Sequence, residues 1–226
     1  KLRWSWGVVS HLNAVCNSSE LREVHSNQQP KIVRFSNQLA QNEVIFKALS
    51  NLKEYGSLKD ETQIRIIETE LITMKNKGIG LDVDEKALFN SRSERLAELS
   101  TTFSNNVLDA TKNWSLLLKN HSEVDGIPER ALETLALAAK EAGDRTEEDN
   151  DPSAATGPWR VGLDLPRYIP FQTYAIDRLV REKVYRAFVS RASDGKINNK
   201  KIIEEILDLR NKQAKILGYK NWCEIS

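Results

Sequence analysis

Apolar residues recur every three or four positions along most of the chain, which is the spacing of helices that bury one face. The longest run covers residues 84–119 and consists of Phe89, Leu96, Leu99, Phe103, Val107, Ala110, Trp114 and Leu117. It predicts one helix, capped by Asp84 and about 50 Å long at 1.5 Å per residue. The stripe fits a coiled-coil seam or the inner face of a helical bundle. The flanking positions lack regular opposite charges, which favours the bundle.

Shorter amphipathic helices with recognisable start and stop signals are predicted on both sides of the long one. Asp60 is a good N-cap, and Gly78 and Gly80 follow as helix terminators. Pro30 suits the first turn of a helix, which separates two predicted helices at that point. The predicted ranges are 19–28, 31–40, 42–54, 61–77, 128–142, 174–192 and 199–217. A further helix is predicted to begin at Asn221.

One segment has the alternation of a β-strand. Residues 159–165 (WRVGLDL) alternate with period two, and Pro166 and Pro170 are predicted to close the strand. A lone strand needs a partner, so we expect either a weak segment nearby or a segment outside this chain. The fold class predicted is mainly α: a multi-helix bundle with one long central helix and a minor β-strand or hairpin, in a single domain over 1–226.

The stretch 144–158 has the composition of an exposed loop. Five of its first eight residues are acidic, and Pro, Ser, Ala and Gly follow. Such a segment cannot bury enough apolar surface to offset the entropy of ordering it. We therefore predict a mobile acidic loop, which is the best candidate for a hinge or a cleavage site.

Composition and charge narrow the classes of protein. The 226 residues are 40% hydrophobic and 29% charged, and the formal net charge of +1 provides no field that attracts nucleic acid or an anionic membrane. No run approaches the roughly 18 apolar residues of a membrane-spanning helix. Cys16 and Cys223 are too few for a disulfide framework, and we expect free thiols in a reducing compartment. The first residue is Lys1 rather than Met, and the apolar pattern begins immediately after it. We therefore expect the chain to be a piece of a longer protein.

Residues with catalytic or metal-binding chemistry are scattered. His11, His25 and His121 do not show the four-residue separation of a zinc-binding H-E-x-x-H helix, so no metal site is expected. Catalysis by a cysteine thiolate requires a neighbouring base, and the sequence around Cys16 and Cys223 identifies none. We predict no catalytic and no metal-ligating residue in this chain, and the sequence assigns no substrate-binding residue.

One predicted helix is strongly basic. It carries Arg178, Arg181, Lys183, Arg186 and Arg191, with tyrosines nearby at 168, 174 and 185. These cations could bind an acidic partner, or they could pair with groups of the same protein. The second interpretation is favoured, because exposed charges on helices are commonly satisfied by neighbours. The tyrosines do not form the stacking arrangement of an RNA-binding sheet.

A series of ordered segments carries a resemblance to a known family. The segments are WGVVSHL (6–12), FSNNVLDAT (103–111), GPW (157–159), LD (163–164), Pro166, REKVYRAF (181–188), SRA (190–192) and LGY (217–219). They resemble the amino-terminal half of the thimet oligopeptidase and oligopeptidase A family of zinc metallopeptidases, and look closest to the plant organellar and cytosolic oligopeptidases. The resemblance runs from one end of the chain to the other.

The resemblance implies a mainly helical, clam-like peptidase in which two halves flank a channel and a zinc-bound water cuts short peptides. The H-E-x-x-H helix belongs to the other half, so the family's metal ligands and general base have no positions here. This chain would be the non-catalytic channel wall, inactive alone, with zinc required only by the full-length enzyme. The implied partners are short peptides and a catalytic half, in the same polypeptide or separate. Neither nucleic acid nor membrane is expected.

Two further expectations follow from the resemblance. The compartment would be the cytosol or the interior of chloroplasts or mitochondria. If the chain is half of a peptidase, the strand at 159–165 and the terminal helix should leave an apolar patch larger than a few hundred Å². The alternative is a naturally truncated relative that acts as a non-enzymatic peptide- or protein-binding scaffold, whose apolar surface its own residues should cover.

Overall fold

The computed structural model describes residues 1–56 and 60–225. The chain divides into two compact units, one formed by Lys1–Thr102 with Lys201–Ser226 and the other by Phe103–Lys200. Among the residues described, 69% are helical and the strands form only two small antiparallel pairs, so the predicted mainly α fold is confirmed. A single domain over the whole chain stays a prediction. None of the helices described is long and apolar enough to cross a membrane.

The helices of the first unit lie at both ends of the chain. They are α1 (Leu2–Val15), α2 (Ser19–Ala40), α3 (Glu43–Tyr55), α4 (Glu61–Asn76), the greater part of α5 (Val83–Lys112), and α9 (Lys200–Ile216) after its first residue. A single 3₁₀ turn at Trp222–Glu224 follows α9. The second unit contains β1 (Ser115–Leu118), α6 (Glu129–Glu141), β2 (Trp159–Gly162), α7 (Leu165–Tyr174), α8 (Arg178–Val189), β3 (Ser193–Asp194) and β4 (Ile197–Asn198).

The predicted limits of α4 are confirmed by its capping contacts. Asp60 Oδ1 accepts a hydrogen bond from the Thr62 amide at 2.8 Å, which satisfies one free N–H group of the first turn. At the other end Gly78 has a φ of +82°, which favours glycine. The Ile79 amide then donates back to the Met74 carbonyl at 3.1 Å, the pattern that closes many helices.

The prediction of two helices separated at Pro30 is wrong, because α2 runs through Pro30 without interruption. Side chains on both sides of the proline are held by α5. Gln29 Nε2 donates to Thr101 Oγ1 at 2.8 Å, and the Arg34 guanidinium makes two bonds of 2.8 Å to the Glu94 carboxylate. These contacts offset the hydrogen bond that proline cannot donate, so packing overrides the local signal.

The long helix exists, but both of its predicted limits are wrong. At its start the cap is Asp82 rather than Asp84: Asp82 Oδ1 accepts from the Glu85 amide at 2.8 Å, and Glu85 Oε2 accepts from the Asp82 amide at 3.4 Å. This is the reciprocal contact of a capping box. At its end the helix stops at Lys112 instead of continuing to residue 119.

The end of the predicted helix is instead a strand. Residues Ser115–Leu118 form β1, which pairs antiparallel with β2, so that Leu118 lies opposite Trp159. Of the two expected partners, a weak segment nearby or a segment outside this chain, the strand therefore pairs with the nearby segment, β1. A short apolar run cannot be assigned to helix or strand by periodicity alone, which explains the wrong prediction for residues 115–118.

The segment after β2 also differs from the prediction. The strand ends at Gly162, and Pro166 lies in the first turn of α7 instead of closing a strand. Pro170 lies inside the same helix. The helix predicted for 174–192 is shorter, because Tyr174 ends α7 and α8 begins only after its own N-cap: Asp177 Oδ1 accepts from the Leu179 amide at 2.8 Å.

The core of the second unit surrounds β2. Trp159, Val161, Phe171 and Val184 are each 0% exposed, and Leu163 is 1% exposed. The apolar side chains of the strand are thus covered by their own unit. The expectation that the segment 159–165 contributes to an uncovered apolar patch is therefore wrong for residues 159–163, whereas Leu165, which the prediction also placed in the strand, is 56% exposed at the start of α7. Each apolar side chain buried in this way contributes about 1.5–3 kcal/mol to the stability of the unit.

Candidate functional site

The histidines occupy three separate environments. His25 is buried on α2, His11 is exposed on α1, and His121 in the second unit meets the Trp159 ring edge-on with 5.0 Å between centroids. Within residues 1–56 and 60–225 no three His, Cys, Asp or Glu side chains are grouped so that they could hold a metal ion. A structural or catalytic zinc requires at least three such ligands. The residues described therefore do not fit the zinc ion that the family resemblance implies.

Two cationic side chains of the basic helix α8 bond to groups of the second unit. Arg181 Nη1 donates to the carbonyl oxygens of Ala175 and, at 2.9 Å, Ile176, which closes the C-terminal end of α7. Arg186 Nε donates to Glu182 Oε1 at 2.8 Å on the same helix. Both cations therefore pair with groups of the same protein, as the favoured interpretation predicted.

Arg191 follows α8 and belongs to a stack of three side chains. The Tyr168 and Phe188 rings stack with 3.8 Å between centroids, and the Arg191 guanidinium lies 3.7 Å from the Phe188 centroid on the ring face. Arg191 Nη1 also donates to Thr111 Oγ1 at 3.2 Å. Burial lowers the pKa of Arg191 and raises the pKa of Tyr168. The stack holds the segment after α8 in place and leaves Arg191 poorly placed to receive an acidic partner.

Sequence reasoning missed a charged pair that anchors the acidic loop. The Arg160 guanidinium donates two hydrogen bonds of 2.7 Å to the Asp144 carboxylate and one of 2.5 Å to Ser115 Oγ. Hydrogen bonding to Asp144 raises the pKa of Arg160. The first residue of the loop 144–158 is thus bonded to Arg160 of β2, and Arg160 in turn bonds to the start of β1. Mobility of the rest of the loop stays a prediction.

An open pocket of about 470 Å³ lies in the first unit. That volume falls in the range of small-molecule and side-chain sites. Its apolar lining comes from Phe46, Ile79, Leu81, Ile216 and Leu217, and its charged lining from Glu43, Lys47 and Lys75. Lys47 Nζ lies 3.8 Å from Glu43 Oε2. Because these residues come from three separate parts of the chain, no local sequence signal could have revealed the pocket.

The first helix has an uncovered apolar face, which we call the α1 stripe. It consists of Trp4, Val8, Leu12 and Val15, which are 83%, 55%, 42% and 61% exposed. Their spacing places them on one side of the helix. Asn13, on another side, is buried. Contiguous exposed apolar residues on a helix commonly mark a contact surface.

Sequence comparison identifies the protein class. The sequence model of the neurolysin and thimet oligopeptidase N-terminal domain matches residues 1–86, and that of peptidase family M3 matches residues 171–226. The Arabidopsis thaliana protein named "Probable cytosolic oligopeptidase A" is 41% identical over 98% of this chain, and the chain covers 31% of that protein. The chain belongs to the thimet oligopeptidase and oligopeptidase A family.

Other members of the oligopeptidase A family agree with this assignment. The chloroplastic and mitochondrial organellar oligopeptidase A of Arabidopsis thaliana is 40% identical over 98% of the chain, which covers 28% of it. Oligopeptidase A of Haemophilus influenzae is 36% identical over the whole chain, which covers 32% of it. The chain thus spans about a third or less of each relative. The α1 stripe lies within the N-terminal-domain match and α8 within the family M3 match, while the pocket is lined by residues from both matches.

Proposed function

We propose that this chain is the amino-terminal, channel-wall region of an oligopeptidase A-like zinc metalloendopeptidase that degrades short peptides. The observation that carries the proposal is the 41% identity to an oligopeptidase A along 98% of the chain. In such a peptidase the rest of the polypeptide, or a separate catalytic half, supplies the zinc ligands. The proposed compartment is the cytosol or the interior of chloroplasts or mitochondria, in keeping with the names of the plant relatives.

The division of labour follows from the chemistry. A zinc ion in a peptidase lowers the pKa of its bound water and polarises the scissile carbonyl group. The residues that the structure describes contain no group of three ligands for that ion. This region would therefore bind and confine the peptide, and the catalytic half would cut it. Alone, the chain would hydrolyse nothing.

Two surfaces of the first unit are suited to that role. The pocket lined by Phe46, Ile79 and Leu81 has room for a large apolar side chain of a peptide. The α1 stripe is an uncovered apolar face of the kind that a catalytic half would cover. On α9, Ile203 and Leu207 are 43% and 59% exposed, which supports the expectation that the terminal helix contributes to such a contact.

The alternative function, a non-enzymatic scaffold that binds peptides or proteins, has one observation in its favour. The apolar strand β2 is covered by its own unit, as expected of an independent module. The two functions differ in what the chain does when a catalytic half is added, and in whether the α1 stripe matters for that association.

A mixing experiment tests the proposal. We expect the 226-residue chain to bind no stoichiometric zinc and to cleave no peptide alone. Mixed at tens of micromolar with a separately expressed catalytic half of an oligopeptidase A, it should associate in sedimentation and restore cleavage of a short fluorogenic peptide. Val8→Asp in the α1 stripe should weaken the association at least tenfold. Ala14→Asp, at an exposed position on another side of α1, is the matched control and should not.

Two results would contradict the proposal, and a third would change only the contact surface assigned to it. One tightly bound zinc ion per chain would place metal chemistry in this region. A monomer that ignores the catalytic half would favour the scaffold. Restored cleavage that Val8→Asp and Ala14→Asp impair equally would leave the channel-wall role intact but would exclude the α1 stripe as the contact.

A further inference from the structure

A buried histidine lies between the first two helices. His25 on α2 is only 5% exposed. Its ring stacks on the Trp6 indole of α1, with 4.7 Å between the centroids and 24° between the planes. Its Nε2 lies 3.5 Å from Ser10 Oγ, also on α1. His25 therefore provides a buried polar contact between α1 and α2.

The hydrogen-bonding capacity of this site suits only the neutral ring. Nδ1 of His25 is buried and has no hydrogen-bond partner among the residues described. A neutral imidazole carries one N–H group, whereas a protonated one carries two and a positive charge. With Nε2 directed at Ser10, a second proton on Nδ1 would find no acceptor. The charge would also lose its hydration, which is unfavourable in a buried position.

The charged groups around the ring offer no compensation. On α1 the two side chains that meet His25, Trp6 and Ser10, do not titrate. On α2 the cation Arg22 lies three residues away, and its Nε donates to Asn17 Oδ1 at 2.5 Å. The carboxylate of Glu23 is exposed, and a separation of two residues places it on the far side of the helix.

The third element that contacts α2 is α5. Its Glu94 carboxylate is paired with Arg34, and the α5 groups that meet α2 closer to His25 are uncharged in the contacts described. Gln29, one turn after His25, donates to Thr101 Oγ1 at 2.8 Å and to the Ala97 carbonyl at 3.3 Å. Burial accordingly lowers the pKa of His25. A stacked imidazolium would gain some cation–π attraction from Trp6, which opposes this effect but does not provide the missing acceptor.

We propose that His25 is a pH-sensitive latch, which holds α1 on α2 while the ring is neutral and releases α1 when the ring is protonated. This inference stands apart from the proposed peptidase role. When α1 is released, water can hydrate the imidazolium. Protonation of His25 is therefore unfavourable only in the docked state.

The direction of the pH dependence follows from proton linkage. A histidine in an unstructured segment has a pKa of about 6.5. Because the docked state binds the proton less well than the released state, docking is fully favourable above that pH and weakens as the pH falls below it. The equilibrium constant for opening rises by at most about tenfold per pH unit until the docked ring itself is protonated.

Hydrogen exchange measured by mass spectrometry on the 226-residue chain provides the test. After correction for the intrinsic pH dependence with an unstructured peptide, we expect the opening constant of Leu2–Val15 to rise between pH 7.5 and pH 5.5, by at most about tenfold. Exchange in α4 should change less and serves as the internal reference. His25→Phe keeps an aromatic ring on Trp6 and should remove the pH dependence. His11→Phe, at an exposed histidine of α1, is the matched control and should retain it.

Several outcomes would overturn the latch. They are an opening constant that does not change with pH in the unmodified chain, or one that changes equally in His25→Phe. If His25→Phe does not fold, NMR titration of the His25 ring in the unmodified chain decides the matter. A ring that titrates at lower pH than a histidine in an unstructured peptide, together with shifts of the α1 amides, supports the latch. Titration at the ordinary pH with α1 unmoved overturns it.

Discussion

The side-chain amide of Gln213 donates a hydrogen bond to the main-chain oxygen of Phe89 at 3.2 Å. The same nitrogen also contacts Ser93 Oγ at 2.9 Å. Gln213 is only 2% exposed, so these bonds form away from water. They join α9 to α5 across 124 residues of sequence. A buried polar contact of this kind requires one register between the two helices, because any slip leaves the amide without a partner.

Replacing Gln213 should therefore destabilise the first unit. We expect Gln213→Ala to lower the free energy of unfolding by about 1–3 kcal/mol, because it removes two hydrogen bonds and leaves a small cavity. Urea denaturation measures the loss. The exposed neighbour Asn211→Ala should stay within about 0.5 kcal/mol of the unmodified chain. In a double-mutant cycle with Ser93→Ala we expect a coupling of about 0.5–1.5 kcal/mol, and a coupling of zero would refute the contact.

Leu99 tests whether the apolar stripe of the long helix is a core. Leu99 is 3% exposed, whereas Leu88 on the same helix is 49% exposed. Leu99→Ala should cost about 2–5 kcal/mol in unfolding free energy, because the cavity cannot fully collapse. Leu88→Ala should cost much less. Equal effects of the two substitutions in thermal or urea denaturation would show that the stripe is not buried as described.

The Arg160–Asp144 pair should control the acidic loop. Its side chains are 24% and 15% exposed, so the pair is better shielded than an ordinary surface ion pair. Arg160→Lys keeps the charge but loses the paired geometry, and we expect a loss of about 1–2 kcal/mol. Limited proteolysis should then cut within 144–158 faster than in the unmodified chain.

Arg186→Lys is the matched control for that experiment. Arg186 also pairs with a carboxylate, but the pair is exposed, with 75% and 47% of the two side chains open to solvent. It should change stability by no more than about 0.5 kcal/mol and leave loop cleavage unaltered. Unchanged cleavage in Arg160→Lys would mean that the loop is held, or is mobile, independently of this pair.

Local signals in the sequence were sufficient where a single residue closes a helix end. Asp60 and Gly78 lie at the ends of α4, and the physical reason for each, an oxygen acceptor and a positive φ, acts within three residues. Asn42 likewise accepts from the Ile45 amide at 3.0 Å. Such contacts are independent of what else packs nearby, and they could be predicted.

Prediction failed where distant residues decide. The continuity of α2 through Pro30 depends on contacts with Thr101 and Glu94, about sixty to seventy residues away. The strand β1 exists because β2 lies beside it, and its apolar residues fit a helix equally well by spacing. Both errors have the same cause: local preference is small compared with the free energy of tertiary contacts.

The candidate site was even less accessible to prediction. The spacing in the sequence already showed that the histidines and cysteines are dispersed. The resemblance of ordered segments likewise indicated the family. The pocket was not, because Phe46, Ile79 and Ile216 meet only in the folded unit. Nor was the burial of His25, since its neighbours at Trp6 and Ser10 lie more than a helix away in sequence.

The pairing of β1 with β2 has a consequence for how the second unit folds. Leu118 and Trp159 lie opposite each other, so the pairing closes a loop of about forty residues. The helix α6, which lies inside that interval, forms through contacts between near neighbours. When two distant segments pair, the chain loses the entropy of closing the loop between them before the contacts themselves become favourable. We therefore expect the small sheet to assemble late, so that the burial of the Trp159 ring marks the completion of the unit rather than its beginning.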